Sequence, residues 1–250
     1  MGGEIENDTG KSYQETRREY KEARRKNQLR ERGTKRVVFW SAIVFLLAGG
    51  AYAMTNLGAG TIGLKAKDLT DNVGGSNQMK GKEGATITLT EYSDFQCPAC
   101  KAYHPILKQV FSDYGDRIIF EYRHFPLRMT HFNAEIAARA AEAAGRQGKF
   151  WEMHDLLFEN QDTWAELSFQ EAGREFASYA QTLGLDMTRF ANDIDADEVK
   201  NIVSADYESG LASGVGGTPT FFLNGKAVTN PQSYDGFKEL IDGALVAPTP

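Results

Sequence analysis

Cys97-Pro98-Ala99-Cys100 holds both cysteines of a 250-residue chain. A C-x-x-C puts two thiols one helical turn apart, close enough to close a small-loop disulfide and to reopen as a dithiol. At the start of a helix, free N–H groups and the macrodipole favour an anion on the first sulfur, so Cys97 should ionise more readily than a free thiol. Cys100, one turn in, is shielded and suits the resolving role, with oxidising equivalents passing through a mixed disulfide on Cys97. Other chemistries compete for the motif. A purely structural disulfide more often joins distant segments. Zinc needs two further ligands, and His104 is the nearby histidine. A c-type haem needs His at position 101, where Lys101 stands, and is excluded.

Two more features suit a redox site. Glu91 lies six residues before Cys97, where a carboxylate beneath the disulfide relays the proton of Cys100; the alternative is a strand-end glutamate facing solvent. Gly216-Gly217-Thr218-Pro219-Thr220 precedes an apolar run, and its Thr-Pro bond is a candidate cis peptide or an ordinary trans proline opening a strand. His104, His124, His131 and His154 are expected to pack or cap locally. Phe150, Trp151, Phe158 and Trp164 read as core, or alternatively as the lining of an apolar substrate groove.

The elements that must position these residues follow from periodicity. Ala85 to Tyr92 alternates with period 2 and reads as a strand. Pro98 suits a first helical turn, and Ala102, Tyr103, Ile106, Leu107, Val110 and Phe111 recur at helical spacing up to Tyr114-Gly115. Arg117 to Arg123 is a second strand, so the cysteine pair sits in a βαβ unit. Helices are predicted over Asn133 to Ala144, Phe150 to Asn160, Ser168 to Leu183 with a Ser168-x-x-Glu171 capping box, and Met187 to about Ser213. Thr220 to Leu223 returns to strand. Asn224-Gly225 signals a hairpin into Lys226 to Val228, and Ser233 to Leu245 is an amphipathic helix.

Composition bounds the rest. A chain with 41% hydrophobic and 25% charged residues is not disordered in bulk, and two cysteines exclude a disulfide-stapled mini-fold or a four-cysteine zinc cluster. The net charge of −6 is divided. Residues 1–36 carry 11 Lys/Arg against 7 Asp/Glu, a basic tail of +4 on a body of −10. Val37 to Leu64 is uncharged for 28 residues, and its first part is strongly apolar. That length spans a bilayer as one helix, and Lys35 and Arg36 at its start place the N-terminus in the cytoplasm. A cleaved signal ending near Ala51-Tyr52-Ala53 is the competing reading; both export the body. The tail reads as a juxtamembrane helix drawn to anionic lipid, and no nucleic-acid partner is expected, because aromatic interleaving is absent.

Three segments resemble the thioredoxin superfamily, and within it the DsbA-like thiol:disulfide oxidoreductases of bacteria. They are Glu91-Tyr92-Ser93-Asp94-Phe95-Gln96-Cys97-Pro98-Ala99-Cys100, Tyr122-Arg123-His124-Phe125-Pro126-Leu127 and Gly217-Thr218-Pro219-Thr220-Phe221-Phe222-Leu223-Asn224-Gly225. The resemblance implies an α/β thioredoxin fold with a helical insertion, here preceded by a single N-terminal transmembrane helix. It implies Cys97 as exposed nucleophile, Cys100 as its partner, Glu91 as buried acid, Pro98 and Ala99 as shaping the site, and Thr218-Pro219 as a cis-proline loop that binds an extended substrate. One departure concerns strength: strongly oxidising members carry histidine where Ala99 stands, so a milder oxidant is expected, with Lys101 offsetting part of the loss.

The expected organisation is a basic tail (1–36), an anchor (37–57), a linker (58–81) and a DsbA-like domain (82–250) whose helical insertion covers about 131–213. The expected function is forming disulfides in exported proteins on the extracytoplasmic side of the membrane. An isomerase or reductase of the same fold, and a non-catalytic peptide-binding or chaperone module, are the alternatives. Expected partners are reduced or misoxidised exported proteins, membrane lipid through the anchor and, by resemblance, a quinone-linked membrane reoxidase. No metal or organic cofactor is suggested.

Overall fold

The computed structural model describes residues 68–72 and 74–246. The basic tail, the expected span 37–57 and Ala51-Tyr52-Ala53 lie outside the described residues. Among the described residues, no helix is long and apolar enough to cross a membrane.

A five-stranded mixed sheet is built from β1 (Met79–Gly81), β2 (Ile87–Ser93), β3 (Ile118–His124), β4 (Thr220–Leu223) and β5 (Lys226–Ala227) in the order β1-β3-β2-β4-β5. Strands β2 and β3 are parallel, and the other pairings are antiparallel. Helix α1 (Pro98–Tyr114) makes the crossover between the parallel pair. Helices α2 (Ala134–Gly145), α3 (Phe150–Glu159), α4 (Gln161–Trp164), α5 (Phe169–Thr182), α6 (Met187–Ile194) and α7 (Asp197–Ala212) stand between β3 and β4, and α8 (Tyr234–Val246) follows β5.

Central strand β2 is covered on both faces, which is why its alternate residues read differently. Ile87 and Leu89 join Ile118, Phe120 and Phe221 under Leu107 and Val110 of α1 and Phe237 and Ile241 of α8. Tyr92, on the other face, packs with Phe125, Val215 and Phe222. A third cluster lies in the helical insertion. There the alanines of α2, among them Ala137, Ala140, Ala141 and Ala144, let Phe150, Leu157, Trp164 and Phe176 close in, and the cluster runs on to Phe95, Tyr122 and both cysteines. Each fully buried large apolar side chain of this kind stabilises the fold by roughly 2–3 kcal/mol. The insertion is therefore one core with the active-site turn.

Local signals hold where they are strong. Ser168 and Glu171 form the reciprocal capping box at the start of α5. Asn224 and Gly225 both take positive φ, 49° and 77°, in the two-residue turn between β4 and β5.

The stretch expected to be linker up to residue 81 is packed from residue 68. Leu69 N donates to Gly225 O at 2.6 Å, and Asn72 Nδ2 and Ser76 N donate to Asp206 Oδ1 at 2.7 and 2.8 Å. Ser76 Oγ donates to Glu142 Oε1 at 2.8 Å, and Met79–Gly81 pairs with β3. Short polar side chains satisfy buried carboxylates here. The folded part thus begins before Lys82, and a three-residue edge strand has too short a pattern to announce it.

Candidate active site

Cys97 is the N-cap of α1, with extended φ and ψ of −73° and 121°, and Pro98 opens the first turn. The proline's missing N–H is one the helix start would leave unpaired anyway. Pro98 and Ala99 are exposed, whereas the Cys97 side chain is nearly and the Cys100 side chain fully buried. Both sulfurs are free thiols. The Cys97 thiol donates to Thr218 O at 3.5 Å across the cis Thr218–Pro219 bond. Asn230 Nδ2 holds Pro219 O at 2.7 Å, which ties the loop to the segment between β5 and α8.

The two sulfurs differ electrostatically. Hydrogen bonding from Cys100 pulls the Cys97 thiol down to about 5 against the opposing effect of burial, helped by Thr218 and the N–H groups of Cys100 and Ala99. Burial pushes Cys100 well above the ordinary thiol range, and Cys97 and Glu91 push it further. Glu91 is buried on β2, not turned to solvent, and burial raises its carboxyl to about 8. Ser93 Oγ donates to Glu91 Oε1 at 2.9 Å. The site can hold a thiolate at Cys97, a protonated thiol at Cys100 and a protonated acid beneath them.

Residues 75–243 match a family described as thioredoxin, Thioredoxin_4. This chain belongs to the thioredoxin family. Among solved structures, the thioredoxin-family fold seen here is similar to BdbD from Bacillus subtilis, with a TM-score of 0.61 and 23% identity over 73% of this chain and 98% of that one. A thioredoxin-like oxidoreductase from Silicibacter pomeroyi gives 0.57 and 25% over 68% and 93%. The thiol-disulfide exchange protein alpha-DsbA2 from Wolbachia pipientis gives 0.58 and 20% over 66% and 86%. The thioredoxin fold with a helical insertion is thus the DsbA-like one. A curated relative, a Na(+)/H(+) antiporter NhaA 3 of Salinispora tropica, is 34% identical over 171 residues, 68% of this chain and 25% of that protein. NhaA 1 of Salinispora arenicola is 39% identical over 60% of this chain and 22% of its own length. The chain spans about a quarter of the length of these relatives.

Several side chains that hold the site of this thioredoxin-family protein are given no role by the sequence patterns. Asp94 accepts from Gln96 N at 2.7 Å, Leu127 N at 2.8 Å and His131 Nδ1 at 2.7 Å, tying the turn before Cys97 to the loop after β3. Gln96 Nε2 reaches Ala165 O at 2.6 Å, and its Oε1 accepts from Asn133 N at 2.7 Å. These polar residues look like surface until the insertion folds over them. Lys101 pairs with Asp162 at 2.7 Å, so its charge is shared with a carboxylate rather than left for Cys97.

His104 is bonded to α3 and not to the cysteine pair. Its Nε2 and His154 Nδ1 each lie 3.0 Å from Asp155 Oδ1, the one group of three metal-ligating side chains that converge among the described residues. Lys108 Nζ stands 3.4 Å from Asp155 Oδ2 and supplies positive charge already. The cluster braces α1 against α3. His124 is likewise internal, its Nε2 2.9 Å from Glu142 Oε1.

Proposed function

We propose that this protein is a thiol:disulfide oxidoreductase that forms disulfides in exported proteins by exchange through Cys97 and Cys100. The observation that carries the reading is the opposite displacement of the two thiols, Cys97 downward at a helix start beside Thr218 O and Cys100 upward in the core. A stabilised Cys97 thiolate makes Cys97 a good leaving group and the Cys97–Cys100 disulfide an oxidant. A client thiolate attacks Cys97 Sγ, the internal S–S bond breaks, and its electron pair leaves on Cys100. A second client thiolate then attacks the client sulfur of the mixed disulfide and expels Cys97 as thiolate. The client loses two electrons and the enzyme gains them. Cysteine-containing substrate proteins and a redox partner that reoxidises the pair complete the cycle.

The site belongs outside the cytoplasm in this reading, carried there by the apolar stretch 37–57, with reduced or misoxidised exported proteins as clients and a membrane reoxidase as partner. Equilibration with glutathione tests the direction: a potential near the thioredoxin value of about −270 mV overturns the oxidase reading in favour of a reductase, and one toward about −120 mV supports it. Cys100→Ser should accumulate mixed disulfides on Cys97. Recovery of none, or full activity of Cys97→Ser, would favour a non-catalytic binding module.

A further inference from the structure

Two hydroxyls beside the cysteine pair have no task in the exchange just described. Glu91 and Ser93 alternate along β2, and Tyr122 is the partner of Glu91 across the parallel ladder with β3, so all three side chains rise from one face of the sheet. That face lies under the start of α1, where Cys100 is buried, and Tyr122 shares an apolar cluster with both cysteines. Ser93 Oγ donates to Glu91 Oε1 at 2.9 Å. The ring of Tyr122 stacks on Phe95 with centroids 5.2 Å apart, and its buried hydroxyl has no hydrogen-bond partner while the pair is a dithiol.

An unpaired buried O–H is costly, on the order of 1–3 kcal/mol, and a donor left idle beside a reacting pair is preorganised for charge that appears later. Burial holds the Tyr122 phenol well above its ordinary range, so it stays a donor, and Glu91 and Cys100 are the charges it feels most. The Ser93 hydroxyl, bonded to Glu91, also favours the Cys100 thiolate against the burial that raises that thiol.

We propose that Ser93 and Tyr122 complete a proton path between Glu91 and Cys100, with Ser93 passing the proton and Tyr122 donating a hydrogen bond to the anion formed there. The path rests on the exchange function proposed above. When a client thiolate bonds to Cys97 Sγ, the electron pair of the broken S–S bond leaves on Cys100. Cys100 takes the hydroxyl proton of Ser93 as Ser93 takes the carboxyl proton of Glu91, giving a thiol and a carboxylate, and Glu91 regains its proton from water. In the opposite direction Ser93 gives its proton to the Glu91 carboxylate, the donation seen here, and takes that of Cys100. The Cys100 thiolate so formed attacks Cys97 Sγ in a mixed disulfide, re-forms the Cys97–Cys100 bond and expels the client sulfur as a thiolate.

The test is single-turnover oxidation of a dithiol peptide by the full, oxidised chain across pH, with the peptide's own ionisation measured separately. Ser93→Ala should slow the reaction by about 10–100-fold near neutral pH and flatten its pH profile. Ser93→Thr should restore both, and Ser93→Ala should add nothing in a Glu91→Gln background. Tyr122→Phe should slow the reaction by on the order of tenfold or more without lowering the urea midpoint, whereas a merely structural tyrosine would lower the midpoint and leave the rate. Either Ser93→Ala or Tyr122→Phe with the wild-type rate and profile overturns the path, as do multiplying losses from Ser93→Ala and Glu91→Gln; the exchange function then stands. A wild-type chain that oxidises no peptide overturns the function and the path with it.

Discussion

Gln161 Nε2 donates to the carbonyl oxygen of Cys97 at 3.0 Å and to that of Phe95 at 2.7 Å. The four-residue helix α4, from the insertion, therefore holds the backbone on both sides of Gln96. Cys97 O also accepts from Lys101 N at 3.1 Å, so Gln161→Leu chiefly deprives Phe95 O. A buried acceptor left unpaired costs about 1–3 kcal/mol. Urea unfolding of Gln161→Leu should show a loss in that range, and a loss near zero would mean that the turn is held without α4.

The Thr218 side chain lowers the Cys97 thiol, second only to Cys100 among the stabilising influences. Its Oγ1 is buried and makes no hydrogen bond of its own. Thr218→Val keeps the shape and removes the dipole. The Cys97 thiolate midpoint, followed by ultraviolet absorbance, should rise from about 5, while the urea midpoint of the oxidised protein, in which Cys97 does not titrate, stays near wild type. A midpoint unmoved by the substitution would assign the low value to Cys100 and the helix start alone.

Stability should report the same charges. In the oxidised protein neither thiol titrates, and Glu91, raised above 4.5 chiefly by burial, contributes stability that is full below 4.5 and lost as pH rises through its folded value. Glu91→Gln should remove that decline, so the urea-midpoint gap between wild type and variant shifts against wild type across this window. In the reduced protein Cys97, lowered from 9.0 to about 5, contributes stability that is full above 9.0 and lost as pH falls through about 5. Reduced minus oxidised stability should thus grow between about pH 5 and 9. A flat difference would show that the thiolate gains nothing from the fold.

The parts of this site that could be read from the sequence are those made by neighbours in the chain. The cysteine pair at a strand-to-helix step, the Asn224-Gly225 turn and the Ser168-Glu171 cap each depend on a few consecutive residues. Tyr122 reads only as a residue of the second strand and of a resembling segment, with no role of its own, because only the pairing of β2 with β3 sets it beside Glu91. Ser76 and Asn72 look like linker until Asp206 and Glu142, more than 60 residues onward, turn toward them. Side-chain hydrogen bonds over such separations have no periodicity, so composition called the segment loose where burial makes it fixed.

The brace between α1 and α3 can be tested at Asp155. Burial opposes its charge, but hydrogen bonds from His104 and His154 outweigh this and hold the carboxyl well below its ordinary range. His154 itself is lowered to about 4 by burial, so it stays neutral near pH 7 and donates through Nδ1. Asp155→Asn keeps an acceptor oxygen and loses the charge shared by two imidazoles and Lys108. The expected loss is about 1–3 kcal/mol near neutral pH, the range for a hydrogen bond to a charged group. Because the folded carboxyl is depressed, its contribution is full above about 3.8 and lost as pH falls further, so the gap between wild type and Asp155→Asn should narrow below that pH. A gap constant with pH would mean that the carboxylate's shape, not its charge, joins the two helices.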